Sequence, residues 1–203
     1  MKLRVLLILA TISQSIYAGE LSDSVFDYRT SASDKLNIKV LEPKGNVRGV
    51  EATKVIDTSF KALLKTVTDY DNFTEYMPNV DKSKIVKEVS GDKLVETELD
   101  FGLFDVEYTL KMSKTVEDSN SKSFAKVSWK RVSGEMKEIE GYWLLYKIHK
   151  KDSSGKEKEG VAVKYVSYVD PGLAIPGWIQ DMLTEGAVPD LFEAIEKRSK
   201  KNS

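Results

Sequence analysis

The chain of 203 residues has the length of one ordinary domain, and its 31 Lys and Arg against 32 Asp and Glu give a formal net charge of −1. This balance excludes the strongly basic surface that draws proteins to nucleic acid, so no nucleic-acid partner is expected. The sequence has no cysteine and one histidine, His149, which excludes disulfides, thiolate chemistry and multi-histidine metal sites, and we expect neither a metal nor a cofactor.

The N-terminus has the layout of a secretory signal peptide. Lys2 and Arg4 form a basic start, residues 5–10 are apolar, and Ala18-Gly19 offers small residues for cleavage. The apolar run is well short of the roughly 20 residues that span a bilayer, which argues against a membrane anchor. We therefore assign residues 1–18 to a signal peptide and the polar residues 19–35 to a leader. An exported protein without disulfides is held together by packing alone, so we expect a bacterial periplasm.

From residue 36 onward, short apolar runs alternate with turn signals at regular spacing, which is typical of an antiparallel sheet. The strands predicted in this way include 36–41, 47–56, 124–131, 138–149 and 160–170. Strict alternation of apolar and polar residues predicts that one face of the sheet is covered and the other is wet. The residues predicted on the covered face are Val95, Thr97, Leu99, Phe101, Val106, Tyr108, Leu110, Met112, Val161, Val163 and Tyr165.

Helical patterns precede and follow the run of strands. Asp57 or Thr58 can cap a first helix, in which Phe60, Leu63, Leu64 and Val67 have helical spacing, and a short helix or turn is predicted at 72–77. A long C-terminal helix is predicted at 176–200, and Pro189 should kink it because proline removes a backbone hydrogen bond. Its predicted apolar stripe is Trp178, Ile179, Met182, Leu183, Ala187, Leu191, Ala194 and Ile195. This order of elements predicts an α+β fold with a helix across the covered face of one sheet.

Residues 68–79, Thr-Asp-Tyr-Asp-Asn-Phe-Thr-Glu-Tyr-Met-Pro-Asn, resemble a segment of the START-like, Bet v 1-like superfamily, in particular its polyketide cyclase and coenzyme-Q-binding branch. Further pieces at 101–108, 140–143 and 169–178 agree with the same branch in their order. The resemblance implies a helix-grip fold, in which a seven-stranded antiparallel sheet wraps a long C-terminal helix around a hydrophobic cavity. We take residues 36–200 as the START-like domain.

Residues able to do acid–base chemistry are poorly placed in the sequence. Asp105 and Glu107 alternate with the covered face and should lie in water, where a carboxylate does not reach a useful pKa. His149 stands among lysines at a predicted strand end, as a solvated histidine does. We therefore predict no catalytic residue. The resemblance keeps one alternative open, a cyclase or aromatase of the polyketide type that acts on a hydrophobic substrate.

The aromatic side chains are the stronger signal. They can fill a core or line a cavity; the pattern does not decide between the two, and the resemblance favours the cavity. The alternation within 141–147 also leaves open whether Trp143 and Leu145 or Tyr142, Leu144 and Tyr146 face the interior.

The expected function is binding of a hydrophobic small molecule or lipid in an internal cavity, extending to its transport in the cell envelope. The apolar segment 172–178 is predicted at the mouth of this cavity, where transient membrane contact can accompany ligand entry. The residues predicted to bind the ligand are Phe101, Phe104, Tyr108, Leu110, Trp129, Trp143, Tyr165, Trp178 and Met182.

Overall fold

The computed structural model describes residues 33–102, 105–119, 123–151, 154–172 and 187–202. The strands are β1 (Asn37–Lys44), β2 (Val47–Ile56), β3 (Val80–Val89), β4 (Asp92–Asp100), β5 (Asp105–Asp118), β6 (Ser123–Gly134), β7 (Glu138–Lys151) and β8 (Glu157–Asp170). The helices are α1 (Phe60–Val67), a 3₁₀ helix (Tyr70–Glu75) and α2 (Ala187–Lys201). Within these ranges, none of the helices has the length and apolar character that a membrane crossing requires.

The strands form one antiparallel sheet in the order β1-β2-β8-β7-β6-β5-β4-β3. Strands β3 to β8 are each paired with the next in sequence, whereas β2 pairs with β8 from the other end of the chain. The predicted α+β helix-grip architecture is confirmed, but the implied number of seven strands was wrong, since the described residues form a sheet of eight. Strand β1 pairs with β2 and extends the sheet at that edge.

One face of the sheet, called here the inner face, packs against both α-helices. Its register places Thr97 opposite Tyr108 and Val95 opposite Leu110, so the alternation predicted for β4 and β5 is confirmed. Val163 lies opposite Leu145 on β7, which puts Leu145 and Trp143 on the inner face. The question left open for 141–147 is therefore decided for these two residues. The buried core on this side includes Val50, Ala52, Ile56, Val95, Met112, Ala125, Val127, Ile139, Val161 and Val163.

Helix α1 is capped by Ser59, and not by Asp57 or Thr58 as predicted. The Ser59 hydroxyl accepts a hydrogen bond from the backbone N–H of Ala62 at 3.2 Å. The Asp57 carboxylate is instead paired with Lys150 of β7, which holds it away from the start of the helix. The apolar residues predicted on this helix and found buried are Phe60, Leu63 and Val67.

The buried stripe of helix α2 agrees with the predicted one at Ile195 and differs from it at the other described positions. Its buried residues are Val188, Phe192, Ile195 and Ser199. Ala187, Leu191 and Ala194 from the predicted stripe are only half-buried. Pro189 is the third residue of α2. The predicted kink would lie between α2 and a first half of the helix, and most of that first half falls in 173–186, outside the described residues. The kink therefore stays a prediction.

An ion pair joins α2 to the sheet. Lys54 Nζ on β2 lies 2.5 Å from Glu196 Oε2, and Lys200 Nζ on the next turn of α2 lies 2.7 Å from Glu196 Oε1. Burial by itself raises the pKa of Glu196, but the hydrogen bonds from Lys200 and Lys54 outweigh it and hold the pKa below its usual range. Glu196 therefore stays charged at neutral pH and holds the helix at a fixed place on β2.

Candidate functional site

Four aromatic rings meet on the inner face where α2 packs against β7 and β8. We call Trp129, Trp143, Tyr165 and Phe192 the aromatic cluster. Trp143 lies directly opposite Tyr165 in the sheet register, with ring centroids 4.5 Å apart. Trp129 also stacks on Tyr165, with ring centroids 5.6 Å apart. Three of the predicted ligand-binding residues are thus brought into one contiguous apolar surface.

Phe192 of α2 completes the aromatic cluster, and the sequence analysis missed it. Its ring centroid lies 5.6 Å from that of Trp143 and 6.4 Å from that of Tyr165, and its side chain is 1% exposed. A signal was present, because Phe192 stands four residues after Val188 and three before Ile195, which is the spacing of one helix face. The cluster is therefore an apolar contact between α2 and the sheet, in addition to the ion pair of Lys54 with Glu196.

Gly141 makes the position of Trp129 possible. The two residues are paired directly between β7 and β6. A Cβ atom built on Gly141 would lie 2.5 Å from the indole of Trp129 and 2.2 Å from the carbonyl oxygen of Val166. Because glycine has no side chain, the indole lies flat against the backbone of β7. Sequence alternation gives no sign of such a contact, since glycine is neutral in the apolar pattern.

The other predicted ligand-binding residues fall in two groups. Tyr108 and Leu110 lie on the inner face of β5, half-buried and packed against the core, and Phe101 is half-buried after β4. Burial, with a smaller contribution from the charge of Tyr165, raises the pKa of Tyr108, so its phenol stays neutral. The remaining predictions, Phe104, Trp178 and Met182, lie outside the described residues.

The acidic residues considered for chemistry are at the surface. Asp105 and Glu107 are exposed, as is His149 near the end of β7. The neighbouring Glu135 and Glu138 are exposed too, and Glu140 is half-buried with its Oε2 3.7 Å from Lys130 Nζ. Across the ranges that the structure describes, no group of three or more His, Asp or Glu side chains is arranged to hold a metal ion. These carboxylates therefore do not form a buried acid–base pair.

A surface groove of about 440 Å³ runs between the 3₁₀ helix and α2. Arg198 crosses it, with Nη1 2.9 Å from Glu75 Oε2 and the guanidinium carbon 4.9 Å from the centre of the Tyr76 ring. Lys197 and Asp190 also line it, so charges of both signs face the groove. This surface is polar and differs from the internal apolar cavity that the resemblance implied, which stays a prediction.

A protein-family model described as "Polyketide cyclase / dehydrase and lipid transport" matches residues 56–196, well over half of the chain. The chain belongs to this family. The match begins at the last residue of β2 and ends on α2, so it includes β3 to β8 and every ring of the aromatic cluster. Membership of the polyketide cyclase and lipid transport family also confirms the START-like resemblance that the sequence predicted.

Solved structures of other proteins share this family's fold. A STAR-related lipid transfer protein from Xanthomonas axonopodis matches with a TM-score of 0.62 and 17% identity, over 81% of this chain and 93% of that one. The Zhui aromatase/cyclase from a Streptomyces species matches with a TM-score of 0.55 and 13% identity, over 76% of this chain and 94% of that one. A START superfamily protein from Mycobacterium smegmatis matches with a TM-score of 0.56 and 11% identity, over 76% of this chain and 99% of that one. None of the curated proteins matches the sequence.

Proposed function

We propose that this protein binds a hydrophobic small molecule or lipid between the inner face of its sheet and its C-terminal helix, and carries it in the cell envelope. The observation behind the proposal is the aromatic cluster, in which Trp143 and Tyr165 of the sheet meet Phe192 of α2. Ligand pockets are mainly apolar and aromatic with a few polar groups. The family description, which includes lipid transport, supports the same function.

Binding in such a site needs no reacting residue. An apolar ligand gains roughly 25 cal/mol for each Å² of its surface that leaves water, and flat aromatic rings offer large areas for this contact. The Tyr165 side chain forms a hydrogen bond with Ser167 of the same strand, so its hydroxyl already has a partner within the protein. The cluster can therefore contact hydrocarbon without leaving the Tyr165 hydroxyl unsatisfied.

The alternative of a polyketide cyclase-like enzyme has weaker support. Cyclisation chemistry needs an acid or a base beside the substrate, with a pKa shifted by burial or by a charged neighbour. Asp105 and Glu107 are exposed on β5, on the opposite side from Tyr108. We therefore prefer binding and transport to catalysis.

A test of the proposal is saturable binding of the apolar dye Nile red, with displacement by lipid extracted from the native envelope. Replacing Leu110 with tryptophan on the inner face should weaken dye binding by about tenfold, because the added ring occupies ligand space. Val86→Trp, at an exposed position on β3, is the matched control and should leave dye binding unchanged.

The opposite result would identify a filled core. In that case the parent protein binds no dye, and Leu110→Trp destabilises the fold by about 1–3 kcal/mol through overpacking. If the dye does bind, native mass spectrometry of protein purified from its own envelope identifies the ligand that the dye replaces.

Export is part of this proposal and is supported by the layout of residues 1–18. Residues 1–30, fused to a reporter that is active only outside the cytoplasm, should deliver activity, and the mature chain should begin near Gly19. Recovery of the full-length chain from the cytoplasm would rule this out. Transient membrane contact through 172–178 stays a prediction.

A further inference from the structure

A row of hydroxyl groups crosses the inner face beside the aromatic cluster. Ser83 on β3 lies directly opposite Thr97 on β4, and Thr97 lies directly opposite Tyr108 on β5. Side chains that are directly opposite in an antiparallel pair point to the same face, with Cβ atoms about 4.5–5.5 Å apart. We call Ser83, Thr97 and Tyr108 the hydroxyl row.

The hydroxyl row is a polar interruption of an apolar surface. Two residues further along the same strands, Ile85, Val95 and Leu110 form the equivalent row and pack into the core. Ser83 is nevertheless only 7% exposed and Thr97 8% exposed. Packing alone would place apolar residues at such positions, because a buried hydroxyl needs a hydrogen-bond partner.

One member of the row has no partner within the described protein. The Ser83 hydroxyl is buried and forms no hydrogen bond with any described residue. A buried polar group left unsatisfied lowers stability, and native proteins contain few of them. Ser83 is thus a buried group whose hydrogen-bonding capacity is unused in the folded protein.

A cation lies near the other end of the row. Arg131 on β6 is opposite Leu110 and two residues beyond Trp129, which places it on the inner face as well. Its Nη2 donates a hydrogen bond to the carbonyl oxygen of Gly134 at 2.7 Å, while its buried Nε has no partner among the described residues. Gly134 is itself opposite Tyr108, so the guanidinium is held close to the end of the hydroxyl row.

We infer that the hydroxyl row and Arg131 bind the carboxylate end of an amphipathic ligand whose hydrocarbon chain lies against the aromatic cluster. The inference rests on the proposed function and specifies its ligand class. Hydroxyl and guanidinium groups both donate hydrogen bonds to carboxylate oxygens, and the guanidinium also matches the charge. The row lies on β3, β4 and β5, whereas the three sheet residues of the cluster lie on β6, β7 and β8, so the two ends of the ligand have separate places.

The test compares two probes that differ only in the carboxylate. Pyrene-dodecanoic acid and dodecylpyrene carry the same fluorophore and chain, and the acid is expected to bind the full protein at least about tenfold more tightly. Arg131→Met and Thr97→Val should each weaken binding of the acid about three- to tenfold and leave dodecylpyrene unchanged. Ser128→Ala, on the outer face of β6 opposite Tyr142, is the control and should change neither.

Ser83→Ala gives a second, independent readout. It removes an unsatisfied buried hydroxyl, so the ligand-free protein should melt about 2–4 °C higher while the acid binds more weakly. Equal affinities for the two probes, or equal losses for both in the variants, would overturn the carboxylate assignment and leave hydrophobic binding intact. Failure of both probes to bind the parent would instead overturn the proposed function itself, and the assignment with it.

Discussion

Replacing Gly141 with alanine is expected to destabilise the folded protein by about 3 kcal/mol, at the upper end of the cost of overpacking a core. The new methyl group would lie 2.2 Å from the backbone oxygen of Val166 and 2.5 Å from the Trp129 indole. A flexible side chain could move aside, but the carbonyl of β8 is fixed in the sheet. The variant should therefore lose the register between β7 and β8 locally or displace Trp129 from Tyr165.

The matched control is Gly160→Ala on β8. A Cβ atom at Gly160 has its nearest neighbour at 3.5 Å, which is an ordinary van der Waals contact. Alanine there should change the free energy of unfolding by less than about 1 kcal/mol, because it adds no clash and restricts the unfolded chain. Urea unfolding followed by tryptophan fluorescence measures both variants. Equal midpoints for the two would show that the sheet yields at Gly141 without strain.

Truncating Phe192 to alanine should destabilise the protein by about 3–5 kcal/mol, the usual cost of removing a buried aromatic ring. The ring contacts Trp143 and Tyr165, so its loss opens a cavity at the contact between α2 and the sheet. The near-ultraviolet circular dichroism of the tryptophans should weaken together with stability, because Trp143 loses a fixed neighbour.

Leu191→Ala on the same helix distinguishes the two possible apolar stripes. Leu191 is half-buried, so its truncation should cost clearly less than that of Phe192. A larger loss for Leu191→Ala would mean that α2 is rotated toward the stripe predicted from the sequence. Thermal unfolding of the two variants in the same buffer decides between the orientations.

The sequence predicted the inner face well wherever the opposite face is wet. On β4 and β5, Val95 and Leu110 alternate with charged residues, and the alternation determined their orientation correctly. On β7 it was uninformative, because the outer side is covered as well: Leu144 is buried there, and Val55 and Ala162 form a second small cluster. A strand that is apolar on both faces shows no alternation of apolar and polar residues, so its orientation cannot be predicted from the sequence.

The cap of α1 and the buried face of α2 were not predicted correctly, because both involve residues far away in the sequence. Ser59 caps α1, and Asp57, which was a predicted cap, is instead paired with Lys150, which stands more than ninety residues later. On α2, apolar residues occupy two adjacent stripes, and only docking on Trp143 selects the one that contains Phe192. The role of Gly141 was not predicted for a related reason, because it depends on the Trp129 indole of the neighbouring strand. Propensity and spacing describe one element at a time, whereas these features depend on two.

The pairing of β2 with β8 has a consequence for the order of folding. Arg48 lies opposite Val169, so this seam joins segments from the two ends of the domain, while β3 to β8 can pair successively as hairpins. Contacts between residues so distant in the chain form slowly, because a long loop must close first. Strand β2 can therefore pair with β8, and the sheet can be completed, only after almost the whole chain has been synthesised. A nascent chain of this design stays incomplete until late, which is compatible with the proposed export of the chain across a membrane before its sheet is assembled.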